Sequence, residues 1–314
     1  MLAEYIWIGG NEELRSKTRV LPILRKLEDI PKWNYDGSST DQALSSANTE
    51  VELIPVQMYK NPLMEGWLVL CETYVNGIPH STNTRHKANL IFGDNEESWF
   101  GLEQEYFMVN PNWQFTNLSH YCGIGKYPEE RQIAEKHLKA CLIAGLTISG
   151  INAEVAQFQW EFQIGPCGGI KASDQLYVAR FLLERIAEMH NVTISYYPKL
   201  YKNENGSGCH TNFSTKKMRE TGGLDEIYTC MDKLKTKHDE HMLVYGKDNQ
   251  ERLTGLHETA SYKTFSWGIG TRNTSIRIGN DTFRDKKGYF EDRRPAANMD
   301  PYLVTSYIFN TCVL

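Results

Sequence analysis

The 314-residue chain has no Gly-x-x-x-x-Gly-Lys-Ser/Thr loop and no Gly-x-Gly-x-x-Gly turn. That excludes a P-loop and a Rossmann cradle, so any nucleotide must be held by metals and arginines rather than by glycine-rich backbone. The seven cysteines include no Cys-x-x-Cys pair. Their odd number argues against a disulfide framework and for a reduced, cytosolic compartment. No apolar run approaches the ~20 residues of a membrane span. The start, Met1-Leu-Ala-Glu, lacks the basic region of a signal peptide, so no membrane partner is expected. With a net charge of -5 and no basic run longer than two residues, nucleic acid is not an expected partner either.

What is present describes an ordinary globular protein, with 40% hydrophobic and 23% charged residues and a length that favours two domains. Residues 1–92 read mainly as strands: Tyr5-Ile-Trp-Ile, then Arg15 to Leu21, Glu50 to Met58 and Trp67 to Val75. Turn signals at Gly9-Gly10, Asn61-Pro62 and Asn76-Gly77 separate them. Inside this region Trp33-Asn-Tyr-Asp-Gly-Ser-Ser-Thr40 reads as a surface loop. Over 93–314 strands alternate with helices expected at Glu129 to Ala144, at Leu224 to Tyr245, and up to His190 with Ser173 as N-cap. A last helix opens at Asp300-Pro301.

Six residues of metal-ligand type fall in segments that read as strand or strand edge: Glu103, Glu105, Glu154, Glu161, His210 and Glu291. Five carboxylates and one imidazole are the hard donor mixture that suits Mg²⁺ or Mn²⁺. Side chains alternate faces along a strand. Gln157, Gln159, Glu161 and Gln163 therefore oppose Phe158, Trp160, Phe162 and Ile164, and Glu103 shares a face with Glu105. The same parity sets His210 with Asn212 and Ser214, and puts Arg277 between Ile276 and Ile278. One antiparallel sheet with a solvated face would also alternate. The polar faces carry no Lys and little Thr, however, which fits better with a funnel lining than with a wet face. Glu154 and Glu161 differ in parity, so a bend or bulge must lie between them. Arg252, Arg272, Arg277, Arg293 and Arg294 supply forks for phosphate or carboxylate. Carboxylates for divalent metal plus arginines for anions is the inventory of phosphoryl transfer.

These residues sit in seven segments that together resemble glutamine synthetase of the short, eukaryote-type branch. In order they are Trp33-Asn-Tyr-Asp-Gly-Ser-Ser-Thr40, Gly101-Leu-Glu-Gln-Glu-Tyr106, Asn152-Ala-Glu-Val155, Gln159-Trp-Glu-Phe-Gln-Ile-Gly-Pro166, Asn205 to Thr215, Arg252-Leu-Thr-Gly-Leu-His-Glu-Thr259 and Gly288-Tyr-Phe-Glu-Asp-Arg-Arg-Pro295. The resemblance implies an α+β fold: a small N-terminal β-grasp domain (1–92) and a catalytic ATP- and metal-binding domain (93–314), a curved antiparallel sheet covered by helices. It implies ATP-dependent joining of ammonia to L-glutamate through γ-glutamyl phosphate.

By the same match two or three Mg²⁺ or Mn²⁺ ions are expected. Glu105, Glu154 and Glu161 would hold one, and Glu103, His210 and Glu291 a second. Arg252 and Arg293 would hold glutamate beside Asn205 and Gly206. Arg272 and Arg277 would meet phosphates, and Trp99, Ser214 and Tyr289 the nucleotide. Asp36, from the neighbouring subunit, would take a proton from ammonium, Ser39 and Tyr121 match further ammonium-site positions, and Glu258 would ride on a closing flap. Homo-oligomers built on pentameric rings are implied as well. The segment between Tyr106 and Tyr121 is shorter than the family's usual loop, which leaves a stacked decamer and a single ring both open. Ser261-Tyr-Lys263 departs from the family's flap. A ligase for another amine and a non-catalytic scaffold ring are the alternatives.

Overall fold

The computed structural model describes residues 1–22, 26–46, 48–95, 97–115, 119–125 and 128–314. Two compact units emerge. The first comprises 1–91 with 139–146, and the second 92–138 with 147–314.

The first unit holds β1 (Leu2–Ile8), β2 (Leu14–Val20), β3 (Trp33–Asp36), β4 (Glu50–Lys60), β5 (Gly66–Val75) and β6 (Ile78–Pro79). They form one mixed sheet in the order β2-β1-β5-β4-β3, with β6 added to β5. The central pair, β1 and β5, is parallel and the others run antiparallel, as in a β-grasp. Ala3, Tyr5 and Trp7 alternate along β1 onto one core with Leu53, Val69 and Cys71. The loop expected at 33–40 is only half a loop. Trp33 and Tyr35 alternate with exposed Asn34 and Asp36, and the two aromatics pack on Tyr5 and Trp7 at centroid distances of 5.2 and 4.6 Å. A short 3-10 turn, Gly37–Thr40, follows.

Helix α1 (Thr84–Phe92) leads to β7 (Trp99–Val109), α2 (Pro128–Ala144), β8 (Ile148–Ala153), β9 (Gln159–Gly168), α3 (Lys171–Glu188), β10 (Thr193–Ser195) and β11 (Cys209–Ser214). Then come α4 (Lys216–Arg219), α5 (Gly223–Thr236), α6 (His238–Met242), α7 (Asn249–Arg252), β12 (Trp267–Ile269), β13 (Ile276–Ile278), α8 (Asn280–Asp285), β14 (Phe290–Asp292) and α9 (Pro301–Cys312). The strands build a curled sheet in the order β12-β13-β14-β11-β7-β9-β8, with β10 on β7. It is antiparallel except where β12 meets β13. A bulge at Phe100/Leu102 bends the long β7–β9 pair. The apolar face carries Phe100, Phe162, Phe213 and Phe290, and α3 and α9 pack together beside it.

Three local expectations need correcting. Ser173 is not an N-cap: α3 starts at Lys171, and the Ser173 hydroxyl instead donates to the Pro301 carbonyl at 3.0 Å. The helix expected over 224–245 breaks at Lys237, which leaves helical backbone at φ -103, ψ 11 and divides it into α5 and α6. Gln157 and Phe158 lie in a turn before β9, with Phe158 at φ +66, so the strand's alternation begins only at Gln159. The Asp300 cap stands as read, its side chain accepting from the amides of Tyr302 and Leu303.

Candidate active site

Strand register gathers the polar side chains. His210 pairs with Glu103 across β11 and β7, and Glu103 pairs with Gln163 of β9. One step along, Glu105 pairs with Glu161 and Glu161 with Asn152. Arg277, Glu291 and Asn212 form a third row across β13, β14 and β11. Directly paired residues share a face, so all nine project to one side. Glu154 reaches the same place differently. It has left β8 for the turn 154–158, where its amide donates to the Gln159 carbonyl at 2.8 Å. That turn is the bend its parity demanded.

Two sets of three result: Glu105, Glu154 and Glu161, and Glu103, His210 and Glu291. In each set one donor atom per residue lies within 4.8 Å of the others. Burial pushes Glu105 up to about 8 and Glu161 to about 9, and the neighbouring carboxylates push further in the same direction. Glu103 and Glu154 are raised for the same first cause. His210 is pushed well down by burial and then by Arg293. Carboxylates crowded out of water and almost all oxygen in donor character fit a hard divalent cation. Existing hydrogen bonds already orient them. Asn212 Nδ2 donates to Glu103 at 2.7 Å, Asn152 Nδ2 to Glu154 at 2.8 Å, the Gly208 amide to Glu105 at 2.6 Å, and Gln163 Nε2 to Glu161.

Around these sets lies a cavity of about 360 Å³, also lined by Tyr121, Asn205, Gly206, Arg252, His257, Glu258, Arg272, Arg277 and Arg293. Arg293 Nη1 donates to Glu291 at 2.6 Å and Arg277 approaches the same carboxylate at 3.4 Å. Arg252 is buried, 2.8 Å from the Arg293 carbonyl, and burial lowers it to about 10. Its guanidinium occupies the space a side chain at Gly208 would claim, and its aliphatic stem, with the Pro198 carbonyl, does the same at Gly206. Glu258 sits at the tip of a loop closed by the Thr254–Ser261 bridge, at φ +62, with Arg272 3.4 Å from its carboxylate. Lys263 is exposed and does not line the cavity, so it sets no positive charge against a cationic substrate there.

A glutamine synthetase catalytic-domain model matches residues 89–227. A putative glutamine synthetase of Acanthamoeba polyphaga mimivirus is 54% identical over 330 positions, covering 99% of this chain and 93% of that one. Cytosolic isozyme 1-3 of Arabidopsis thaliana glutamine synthetase is 48% identical over 336 positions, covering 100% and 95%. The chain belongs to the glutamine synthetase family. As a glutamine synthetase it is a glutamate–ammonia ligase, making L-glutamine from L-glutamate and ammonia with ATP. The fold is shared with a Plasmodium falciparum glutamine synthetase solved by cryo-EM, at a TM-score of 0.79 and 16% identity over 99% of this chain and 71% of that one. GmaS solved without ligand gives 0.81 and 18% over 99% and 77%.

A second cavity of this glutamine synthetase, about 430 Å³, shares Glu103 and Gln163 with the first and collects Trp99, Ser214 and Tyr289. Arg219, which sequence reasoning did not single out, lies 3.8 Å over the Trp99 ring and donates to Ser214 Oγ at 2.9 Å. It had no spacing signal, since it falls in the short α4. Asn152 and His257 were also missed. Asn152 was detectable by its parity in the strand before Glu154. Asp36 and Ser39 belong to the first unit. There Ser39, then Ser38, hydrogen-bond the Asp36 carboxyl and hold it down at about 2. Of the segment between Tyr106 and Tyr121, residues 116–118 lie outside the described residues.

Proposed function

We propose that Glu105, Glu154 and Glu161 hold one Mg²⁺ or Mn²⁺ and Glu103, His210 and Glu291 another, beside bound ATP. The observation that carries this reading is the convergence of two compact ligand sets on one arginine-rimmed cavity. When bound, such ions neutralise triphosphate charge and the charge that develops during phosphoryl transfer.

The chain's own residues do the rest. Arg252 and Arg293 hold glutamate, with its amino-acid end beside Asn205 and Gly206, leaving its γ-carboxylate free to attack the γ-phosphorus of ATP. Arg272 and Arg277 stabilise the phosphate oxygens. Trp99 and Tyr289 offer apolar surface to the base, with Ser214 as a polar contact. The products of this step are ADP and γ-glutamyl phosphate. Asp36, supplied by a neighbouring subunit, takes the proton of ammonium, and Ser39 and Tyr121 are further ammonium-site residues. The ammonia so formed displaces phosphate and leaves glutamine. Glu258 on its loop attracts the cation and excludes water from the acyl phosphate.

Phosphate release dependent on ATP, Mg²⁺ and glutamate, measured with ammonia and with alkylamines, tests the reading. Activity with ammonia is expected. Turnover with alkylamines alone would redirect it to another amine, and no release with any amine would overturn it. A homo-oligomer of pentameric rings and a cytosolic location complete the proposal. Plant relatives named cytosolic isozymes support the location, and a mass measurement in solution distinguishes a decamer from a single ring.

A further inference from the structure

Three buried side chains outside the two ligand sets meet behind Glu154. His120, Glu130 and Trp160 are 1%, 3% and 1% exposed. His120 Nδ1 lies 2.7 Å from the main-chain oxygen of Glu154. A carbonyl only accepts, so this nitrogen carries a proton and donates it. The other ring nitrogen, Nε2, is 2.9 Å from Glu130 Oε2, and Trp160 Nε1 donates to that same oxygen at 2.9 Å.

The surrounding chain is tied to the same point. The Cys122 amide donates to the Ala153 carbonyl at 3.0 Å. Arg131 donates to the Gly123 carbonyl at 2.5 Å and lies 5.2 Å over the Trp160 ring. The short segment carrying His120 therefore also fixes Tyr121, which lines the cavity.

Glu154 needs this support more than its companions do. Glu105 and Glu161 ride on paired strands in the middle of the sheet, whereas Glu154 stands in a turn. A carboxylate must sit within a few tenths of an ångström of its place to complete a three-ligand cation site, and a turn does not supply that precision alone.

We infer that His120, backed by Glu130, is a positioning residue that sets the Glu154 turn and so completes one of the two cation sites. This rests on the reading of Glu154 as a metal ligand. Neither His120 nor Glu130 lines the cavity. Both act through the Glu154 main chain.

The test is Mn²⁺ binding to the full, substrate-free chain, followed by electron paramagnetic resonance of free Mn²⁺, together with the Mg²⁺ dependence of glutamine formation. His120→Phe and Glu130→Ala are expected to weaken one of the two Mn²⁺ equivalents about tenfold and leave the other unchanged. The Mg²⁺ concentration for half-maximal activity should rise in parallel. Glu130→Gln should weaken binding less than Glu130→Ala, because its amide oxygen can still accept at the point where Trp160 Nε1 and His120 Nε2 converge. Weakened stability with unchanged Mn²⁺ affinity in both variants would overturn the inference and leave the trio a plain core contact. If His120→Phe does not fold, the Glu130→Ala and Glu130→Gln pair decides alone. Glu154→Gln serves as the reference. If it leaves both Mn²⁺ equivalents intact, the ligand reading itself falls. If it weakens one and the His120 and Glu130 variants do not, only the positioning role falls.

Discussion

Asp292 and Arg294 close an ion pair of 2.7 Å that is shielded from water on both sides, while Glu291 and Arg293, one residue earlier each, close a pair of 2.6 Å facing the cavity. The same four-residue stretch thus serves the scaffold with one parity and the site with the other. Tyr245 donates to Asp292 at 2.7 Å, and Arg294 reaches His238 Nδ1 at 3.0 Å.

The two arginines should respond differently to removal. Arg294→Met leaves Asp292 buried without its partner and is expected to cost about 3–5 kcal/mol in urea unfolding. Arg293→Met should leave the unfolding midpoint nearly unchanged and raise the KM for glutamate at least tenfold. Equal losses of stability in both would refute this division.

His241 is expected to set part of the acid limit of stability. Tyr245 donates onward to Asp292, so its oxygen accepts from His241 Nδ1, and Nε2 then accepts from Thr311. Burial, with Arg294 next, lowers His241 to about 3, opposed by Asp292 and reinforced by His238 and Lys237. A folded pKa depressed below the unfolded value of about 6.5 gives stability that is present above pH 6.5 and lost as pH falls toward 3. By pH 4.5 the loss should reach roughly 2–3 kcal/mol. His241→Gln should be less stable at pH 7 yet show a shallower slope between pH 6.5 and 4.5. Parallel slopes in a pH series of urea titrations would contradict the assignment.

Divalent cation should stabilise the protein, because it binds the folded ligand sets and not the unfolded chain. At a hundredfold excess over Kd the gain is about 2.7 kcal/mol for one site, and a chelator should remove it. Glu161→Ala should lose most of the Mg²⁺-dependent shift in melting temperature and at least a hundredfold in turnover. A wild-type shift in this variant would exclude Glu161 as a ligand.

Asp36→Ala should separate nucleotide handling from ammonium handling. Nucleotide affinity is expected to stay within about twofold, while the ammonium concentration for half-maximal rate rises more than tenfold. Loss of nucleotide binding would show that the role assigned to Asp36 is wrong.

Much of this molecule could be read before the structure, because period-two alternation survives in strands that have one polar and one apolar face. Glu103, Glu105, His210 and Arg277 declared their face by parity alone. Glu154 did not, since a turn carries no parity, and only the mismatch with Glu161 betrayed a bend. Trp33-Asn-Tyr-Asp36 alternates as cleanly as any strand here, but the turn-formers that follow it masked the pattern. His120 and Glu130 gave no signal at all. Their partners are a main-chain oxygen and an indole brought near by the fold, and neither contact leaves a spacing to read. Ser173 misled for the opposite reason, offering a good cap that a tertiary partner claimed.

The absent side chains at Gly206 and Gly208 bear on how this enzyme can change over generations. A Cβ at 206 would meet the Pro198 carbonyl oxygen and lie 2.8 Å from Arg252 Cγ, and one at 208 would meet Arg252 Nη2 and lie 2.9 Å from His210 Nε2, so a larger residue at either position has to displace its neighbours. His257 lines the same cavity from an exposed loop, so a substitution there meets less resistance. Selection for a new amine would therefore act on the rim first. The floor is held in place by its neighbours.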